Sequence, residues 1–383
     1  MILSGMRRVA ILLGLAVLVV VVAGVVASVL RVHHHRVVIA PTATPRVTSG
    51  FPVTSAVIKN VAGMNAEPAM RPAVYRGPNP DGWWCQPPNC THPNPTAMIR
   101  REMTLMAGLH VGFLRLEFAW PLLEPQRGHY DWSRTDSIVL LADKLGLQLQ
   151  PVLDYTPAWA APSPYVAPTH VSAWTSFLTA VVGRYKNSIH YWELWDEPDS
   201  GNYWLDGDKN YVTRILVPGY RAVKAADSSA KVLLGAPYYA DGTFLSDVYS
   251  DGGGKSFDIA GVHEYINVLS PNGVQSDVDT VHHVLSAHGQ PSKPVWIGEY
   301  GYRETSPTLS DSGHIAAMRT VLLSADSYAE AAWYTIRDDM AMSCCPPRIV
   351  KKAYWGLVTW DDTTLKNGYY EMRKIVAHLG SRG

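Results

Sequence analysis

The chain has 383 residues, enough for one large domain or two small ones with an ample core. Lys plus Arg and Asp plus Glu number 33 each, so the formal net charge is zero and nothing in it suggests a nucleic-acid partner. The 13 Trp and 20 Tyr against 6 Phe favour rings with polar edges, which suit sugar surfaces and also serve cores and interfaces.

At the N-terminus, Arg7 and Arg8 precede an unbroken apolar run from Val9 to Leu30, about 22 residues, long enough to span a bilayer. A cleaved signal usually has an apolar stretch of about 7–15 residues, so residues 9–30 read as a retained signal anchor with residues 1–8 cytoplasmic. Small residues around Ala27 leave cleavage open, in which case the protein is secreted. Arg31, Arg36 and Arg46 follow the span, so the distribution of basic residues does little to orient it. His33, His34 and His35 read as a juxtamembrane polar cluster rather than a metal site. Residues 31–55, rich in Pro and Thr from Val37 onward, read as an extended stalk. Residues 56–383 then form the main domain on the outer side of the membrane. The four cysteines, Cys85, Cys90, Cys344 and Cys345, fit disulfides in an oxidising compartment. They lack a zinc-ligand spacing.

Strand-like runs follow at Val57–Asn65, Val111–Phe118, Leu147–Tyr155, Ile189–Trp195, Lys231–Ala236, Ile259–Tyr265, Pro294–Glu299 and Ala331–Ile336. Helical stripes lie between them. Met98, Ile99, Met103 and Met106 form one, stopped by Gly108; Trp174, Phe177, Leu178, Val181 and Tyr185 form another. Val278, Val281, Val284 and Leu285 precede a C-capping Gly289. Ile315, Met318, Val321 and Leu322 give a further face, and Tyr369 to Leu379 the last. Eight strands alternating with helices predict an α/β chain folded as a (β/α)8 TIM barrel, preceded by one N-terminal transmembrane helix. Two short motifs fail. Gly252–Ser256 lacks the first glycine of a phosphate loop, and His263-Glu264 lacks the second histidine of a zinc-protease helix.

The chemistry sits at the strand ends. Glu197 closes Tyr-Trp-Glu-Leu-Trp-Asp-Glu-Pro (Tyr191 to Pro198), and Glu299 lies in Val-Trp-Ile-Gly-Glu-Tyr-Gly (Val295 to Gly301). In a TIM barrel the C-terminal ends of the strands carry the active site. Two carboxylates from different strands are what glycoside hydrolysis needs, one as acid/base and one as nucleophile. The same rim collects Arg115 and Trp120 after strand two, Asp196 beside Glu197, His263 and Tyr265 after strand six, and Trp333 after strand eight. Tyr265 can donate to Glu299; Arg115 can stabilise it by charge or serve as a barrel salt bridge. Trp120 and Trp333 are candidate sugar platforms, with core filling as the alternative for each.

At these residues the chain resembles the clan A glycoside hydrolases, and within them family 39-like, exopolysaccharide-hydrolase-type barrels. Arg115-Leu-Glu-Phe-Ala-Trp120, Glu124-Pro125, Gly128-His-Tyr-Asp-Trp132, Tyr155-Thr-Pro-Ala-Trp159 and Tyr354-Trp-Gly-Leu357 through Lys366 carry the likeness. It implies an acid/base at Glu197, a nucleophile at Glu299, and retention through double displacement on a β-linked poly- or oligosaccharide, with no cofactor. The family pattern has Asn where this chain has Asp196, the residue that grips the sugar 2-hydroxyl. An aspartate accepts there but donates only when protonated. Two readings compete with hydrolysis: a non-catalytic carbohydrate-binding barrel, and a transglycosylase acting on an envelope polysaccharide.

Overall fold

The computed structural model describes residues 62–65, 95–304, 309–323, 328–336, 338–340, 352–359 and 364–380. The apolar run 9–30, the stalk 31–55 and all four cysteines lie outside the described residues. Among the described residues, no helix is long and apolar enough to cross a membrane.

The strands are β1 (Ala62–Asn65), β2 (Phe113–Glu117), β3 (Gln148–Leu153), β4 (Tyr191–Leu194), β5 (Lys231–Leu234), β6 (Ala260–Glu264), β7 (Val295–Tyr300) and β8 (Glu330–Trp333). They form one sheet in the order β5-β4-β3-β2-β1-β8-β7-β6, and every pairing along it is parallel. A parallel bridge between Leu233 and Ile259 joins the two ends, with Leu234 N–H donating to the Ile259 carbonyl at 3.0 Å, so the sheet is a closed barrel. Among the described residues, eight principal helices surround it: α1 (Pro95–Gly108), α2 (Ser133–Leu145), α3 (Val171–Tyr185), α4 (Val217–Ala226), α5 (Thr243–Ser250), α6 (Pro271–Ala287), α7 (Ser312–Leu323) and α8 (Asn367–Gly380).

Strand alternation explains how one barrel carries both a dry core and a charged centre. Along β2, Leu114 and Leu116 face the helical layer and join the large apolar core. Phe113 and Arg115 face the barrel axis instead. Phe113 packs on Trp296 at a ring separation of 5.9 Å, and Tyr191 packs on the same ring at 4.9 Å. With Leu233 and Ile259, these rings plug the N-terminal end of the barrel. One layer higher, Arg115 lies level with Gln150 in the β2–β3 register and meets Glu193 of β4. The apolar plug therefore ends where the charged layer begins. Gly298 of β7 leaves room for that layer, since a Cβ there would come within 3.3 Å of His263 Nε2 and 3.4 Å of Arg115 Nε.

The predicted strands two to seven agree with the observed ones to within a few residues; β1 ends at Asn65 as predicted, and residues 57–61 of that run lie outside the described residues. The chain leaves β8 after Trp333 rather than Ile336, so Trp333 is the last residue of the strand, yet it does not open onto the mouth of the barrel. Its ring is fully buried against Tyr300 and His314, on the side facing α7. Trp120 is likewise fully buried, wedged among Trp159, Trp174 and Phe177 with its Nε1 donating to Glu124 at 2.7 Å. Neither ring offers a face to a sugar, which corrects the platform assignments for Trp120 and Trp333. Core filling won in both cases, because an indole whose faces are covered on all sides contributes burial energy and keeps no face for a ligand.

Candidate active site

The segment after β4 is held in an uncommon backbone conformation. Trp195 and Glu197 have φ values of 79° and 39°, a region that L residues enter rarely and at a cost of about 1–3 kcal/mol each. Glu197 N–H donates to the Ala236 carbonyl at 3.1 Å, and Trp195 N–H to Leu153 at 2.9 Å, so neighbouring strands on both sides fix the turn. Pro198 follows at once and stops any return to regular structure. The result aims the Glu197 carboxyl over the barrel mouth, facing Glu299 at the C-terminal part of β7. Both side chains are buried, with only 6% and 5% of their surfaces exposed.

Arg115 is the hub beneath them. Its Nε and Nη2 donate to Glu193 at 2.7 and 3.0 Å, Nη2 also reaches Asp196 Oδ1 at 2.5 Å, and Nη1 reaches Glu299 Oε1 at 2.6 Å. Glu193 is completed by Gln150 Nε2 at 3.0 Å and Ala236 N–H at 3.1 Å. Both anticipated roles of Arg115 are thus present in one geometry: it bridges the barrel and touches Glu299. Burial opposes its charge, but Glu193, Asp196 and Glu299 outweigh it and hold the guanidinium firmly protonated.

Glu299 also accepts from the Tyr265 hydroxyl at 2.5 Å. His263 stands between the two glutamates: its Nδ1 is 3.0 Å from Glu197 Oε1 and 3.7 Å from Glu299 Oε2, while Nε2 lies 3.8 Å from Asp196. Burial pushes the imidazole pKa down. The Glu299 charge and the Glu197 hydrogen bond push it up by more, to about 9, so His263 is charged at neutral pH. Burial raises the pKa of both Glu197 and Glu299. At Glu299 both His263 and Arg115 work against it while Asp196 and Glu197 add to it; at Glu197 His263 alone of the two cations works against it, while Asp196 and Asp199 add to it. Glu299 is therefore the better-supported anion and Glu197 the better holder of a proton. One oxygen of each glutamate and a His263 nitrogen lie within 4.8 Å of one another, so this trio could also chelate a cation.

The structure brings together Arg115, Asp196, Glu197, His263, Tyr265 and Glu299, and leaves Trp120 and Trp333 outside. It adds residues that the sequence did not single out. Glu193 belongs to the same motif as Glu197, and strand alternation would have placed it inside the barrel. Asp199 accepts from the N–H groups of Tyr238 and Tyr239 at 2.8 and 3.3 Å and so shapes the loop after β5. Tyr238 lies roughly parallel to Tyr265 at 6.4 Å, and Tyr239 is 51% exposed beside it, the kind of open ring face that the buried tryptophans lack. Trp355 and Tyr334 pack edge-on against Tyr265 at 5.4 and 6.4 Å.

Residues 91–165 match a family model described as Beta-galactosidase. Among curated proteins, Endo-1,4-beta-xylanase 1 of Gibberella zeae is 26% identical over 129 residues, covering 32% of this chain and 35% of the xylanase. Endo-1,4-beta-xylanase 2 of Aureobasidium pullulans is 24% identical over 213 residues, covering 49% of this chain and 57% of the relative. The chain thus spans only about a third of the first relative's length. A family 39 glycoside hydrolase from Bacteroides cellulosilyticus superposes with a TM-score of 0.60 at 19% identity, over 84% of this chain and 64% of that one. A beta-xylosidase from Caulobacter crescentus gives 0.59 at 18% identity, over 82% and 67%. These neighbours share the (β/α)8 fold. Family model, curated relatives and solved neighbours all carry clan A glycoside hydrolase signals, on the barrel that the sequence predicts.

Proposed function

We propose that the barrel is a retaining glycoside hydrolase that cleaves a β-linked poly- or oligosaccharide by double displacement. One observation carries the reading: Glu197 and Glu299 present carboxylate oxygens within 4.8 Å of each other, yet have unequal partners. Retaining enzymes hold their carboxyls about 5–5.5 Å apart, whereas inverting enzymes need about 6.5–9.5 Å to admit a water. Glu299, held by Arg115 and Tyr265, is the nucleophile. It attacks the anomeric carbon while the Glu197 proton passes to the departing oxygen, leaving a covalent glycosyl-enzyme and an ionised Glu197. With Glu299 esterified, its charge no longer opposes ionisation of the nearby Glu197, which stays a carboxylate and can take a proton from water. Water attacks the anomeric carbon, the Glu299 ester breaks, and both carboxyls return to their first state.

Asp196 and His263 set the charge around this pair, and the exposed Tyr239 is a sugar platform at the mouth. The apolar run Val9–Leu30 supports a site held outside the cell by a membrane anchor, or released if the run is cleaved. The test is a leaving-group series of aryl β-glycosides on two variants. Glu299→Gln should abolish turnover throughout. Glu197→Gln should spare activated aryl groups, which depart with little protonation, and lose those with poor leaving groups. Equal losses across the series in both variants would reject the division of labour.

A further inference from the structure

A second cluster of ligand-type side chains lies outside the proposed glycosidase site, where the segment after β7 meets the start of α7. Asp311 and His314 are both fully buried, and one ligand-type atom each of Glu304, Asp311 and His314 lie within 4.8 Å of one another. Their other atoms are already committed. His314 Nε2 faces the Tyr354 carbonyl at 3.0 Å; a carbonyl can only accept, so Nε2 carries a hydrogen, and Nδ1 is the ring atom turned toward Asp311. Asp311 Oδ2 accepts from Gly368 N–H at 3.2 Å, and Glu304 Oε1 from Gly313 N–H at 2.9 Å. That leaves two buried polar atoms, His314 Nδ1 and Asp311 Oδ1, without a hydrogen-bond partner and 3.5 Å from each other.

We propose that Glu304, Asp311 and His314 supply three of the four ligands of a site for a tetrahedral divalent cation of the zinc type, with water as the fourth. The spacing favours it. At 3.5 Å the pair is beyond the usual N–H···O range of about 2.7–3.2 Å. It matches the edge between two ligands at about 2.0–2.2 Å from a tetrahedral ion, which is about 3.4 Å. An imidazole with two carboxylates suits zinc better than calcium or magnesium, and a histidine whose second nitrogen donates to a backbone carbonyl is the usual ligand posture. The charges balance as well. Lys366 lies 3.7 Å from Asp311 Oδ1, but its ammonium is hydrogen-bonded to Asp338 at 2.7 Å, so Glu304 and Asp311 are left to match a dication. The clip would fix Tyr354, and through it Trp355, whose ring packs on Tyr265.

The test uses the full chain with His33, His34 and His35 changed to Ala, stripped by a chelator and titrated with Zn2+ and then with Co2+. The expected result is one tightly bound equivalent, with the intense visible absorption of tetrahedral cobalt and a raised Tm. That equivalent should be lost in His314→Gln, whose amide can still donate to the Tyr354 carbonyl, and in Asp311→Asn. It should persist in Glu299→Gln. Equal uptake with and without His314, or loss of the equivalent in Glu299→Gln, overturns the proposal. If the His314 and Asp311 variants fail to fold, the parent decides: no bound equivalent, or the weak spectrum of octahedral cobalt, overturns it.

Discussion

His263 reports directly on the electrostatics of the proposed site, because its charge depends on a neighbour that mutation can remove cleanly. Its pKa is raised to about 9, with Glu299 the first of the groups that raise it against the lowering effect of burial. The two groups approach to 3.7 Å. At an effective dielectric constant of about 20, that separation is worth about 4.5 kcal/mol, or about 3 pK units as an upper bound. Glu299→Gln removes the charge while keeping the shape and leaves the hydrogen bond to Glu197. The His263 pKa should therefore fall from about 9 to between about 6 and 8. The assay is NMR titration of protein labelled at the histidine ring carbon, with the His263 signal assigned through His263→Gln. A His263 that still titrates near 9 in Glu299→Gln would refute the argument, as would a wild-type value at the ordinary 6.5.

Four further outcomes follow from the same contacts. Arg115→Met strands Glu193 in the barrel and should cost about 3–5 kcal/mol, seen as a lowered denaturation midpoint; the double change with Glu193→Met should recover part of the loss. Tyr265→Phe removes one charge-assisted hydrogen bond to Glu299, worth about 1.5–3 kcal/mol, and should lower kcat about 10- to 100-fold with Tm nearly unchanged. Asp196→Asn removes a charge that raises the Glu197 pKa, so the basic limb of the pH–rate profile should move to lower pH; an unmoved limb would place Asp196 outside the electrostatics of the site. Trp120→Ala should lower stability by about 3–5 kcal/mol without raising KM selectively, whereas Tyr239→Ala should raise KM and leave Tm unchanged.

The barrel was legible because each strand is a short apolar run with clear punctuation and because the helical stripes repeat at the right period. Three helices escaped notice for local reasons. α4 opens on Val217-Pro218-Gly219, which reads as a break although Pro suits a first helical turn. α5 is only eight residues long, and α2 carries a Thr on its buried face and opens on the polar run Ser-Arg-Thr-Asp-Ser. Within the site, Glu197 and Glu299 stood out because Pro and Gly frame them, and His263 and Tyr265 because they end a strand. The tryptophans misled because the sequence shows that an aromatic lies near a strand end but not which way its ring turns: Trp120 packs among Trp159, Trp174 and Phe177, and Trp333 against Tyr300 and His314. Glu304, Asp311 and His314 gave no signal, since their meeting depends on a left-handed Asp311, at φ 48°, and on a carbonyl from a distant segment.

The most direct test of the double displacement is to trap the glycosyl-enzyme. Activated 2-deoxy-2-fluoro β-glycosides of xylose, glucose, galactose and mannose would be incubated with the full chain, and the labelled peptide identified by mass spectrometry. The account predicts that one sugar of the series attaches to Glu299 and that the adduct forms far more slowly in Tyr265→Phe. A label on any other residue would contradict it, as would turnover of the parent glycoside to the α-anomer with no adduct at all.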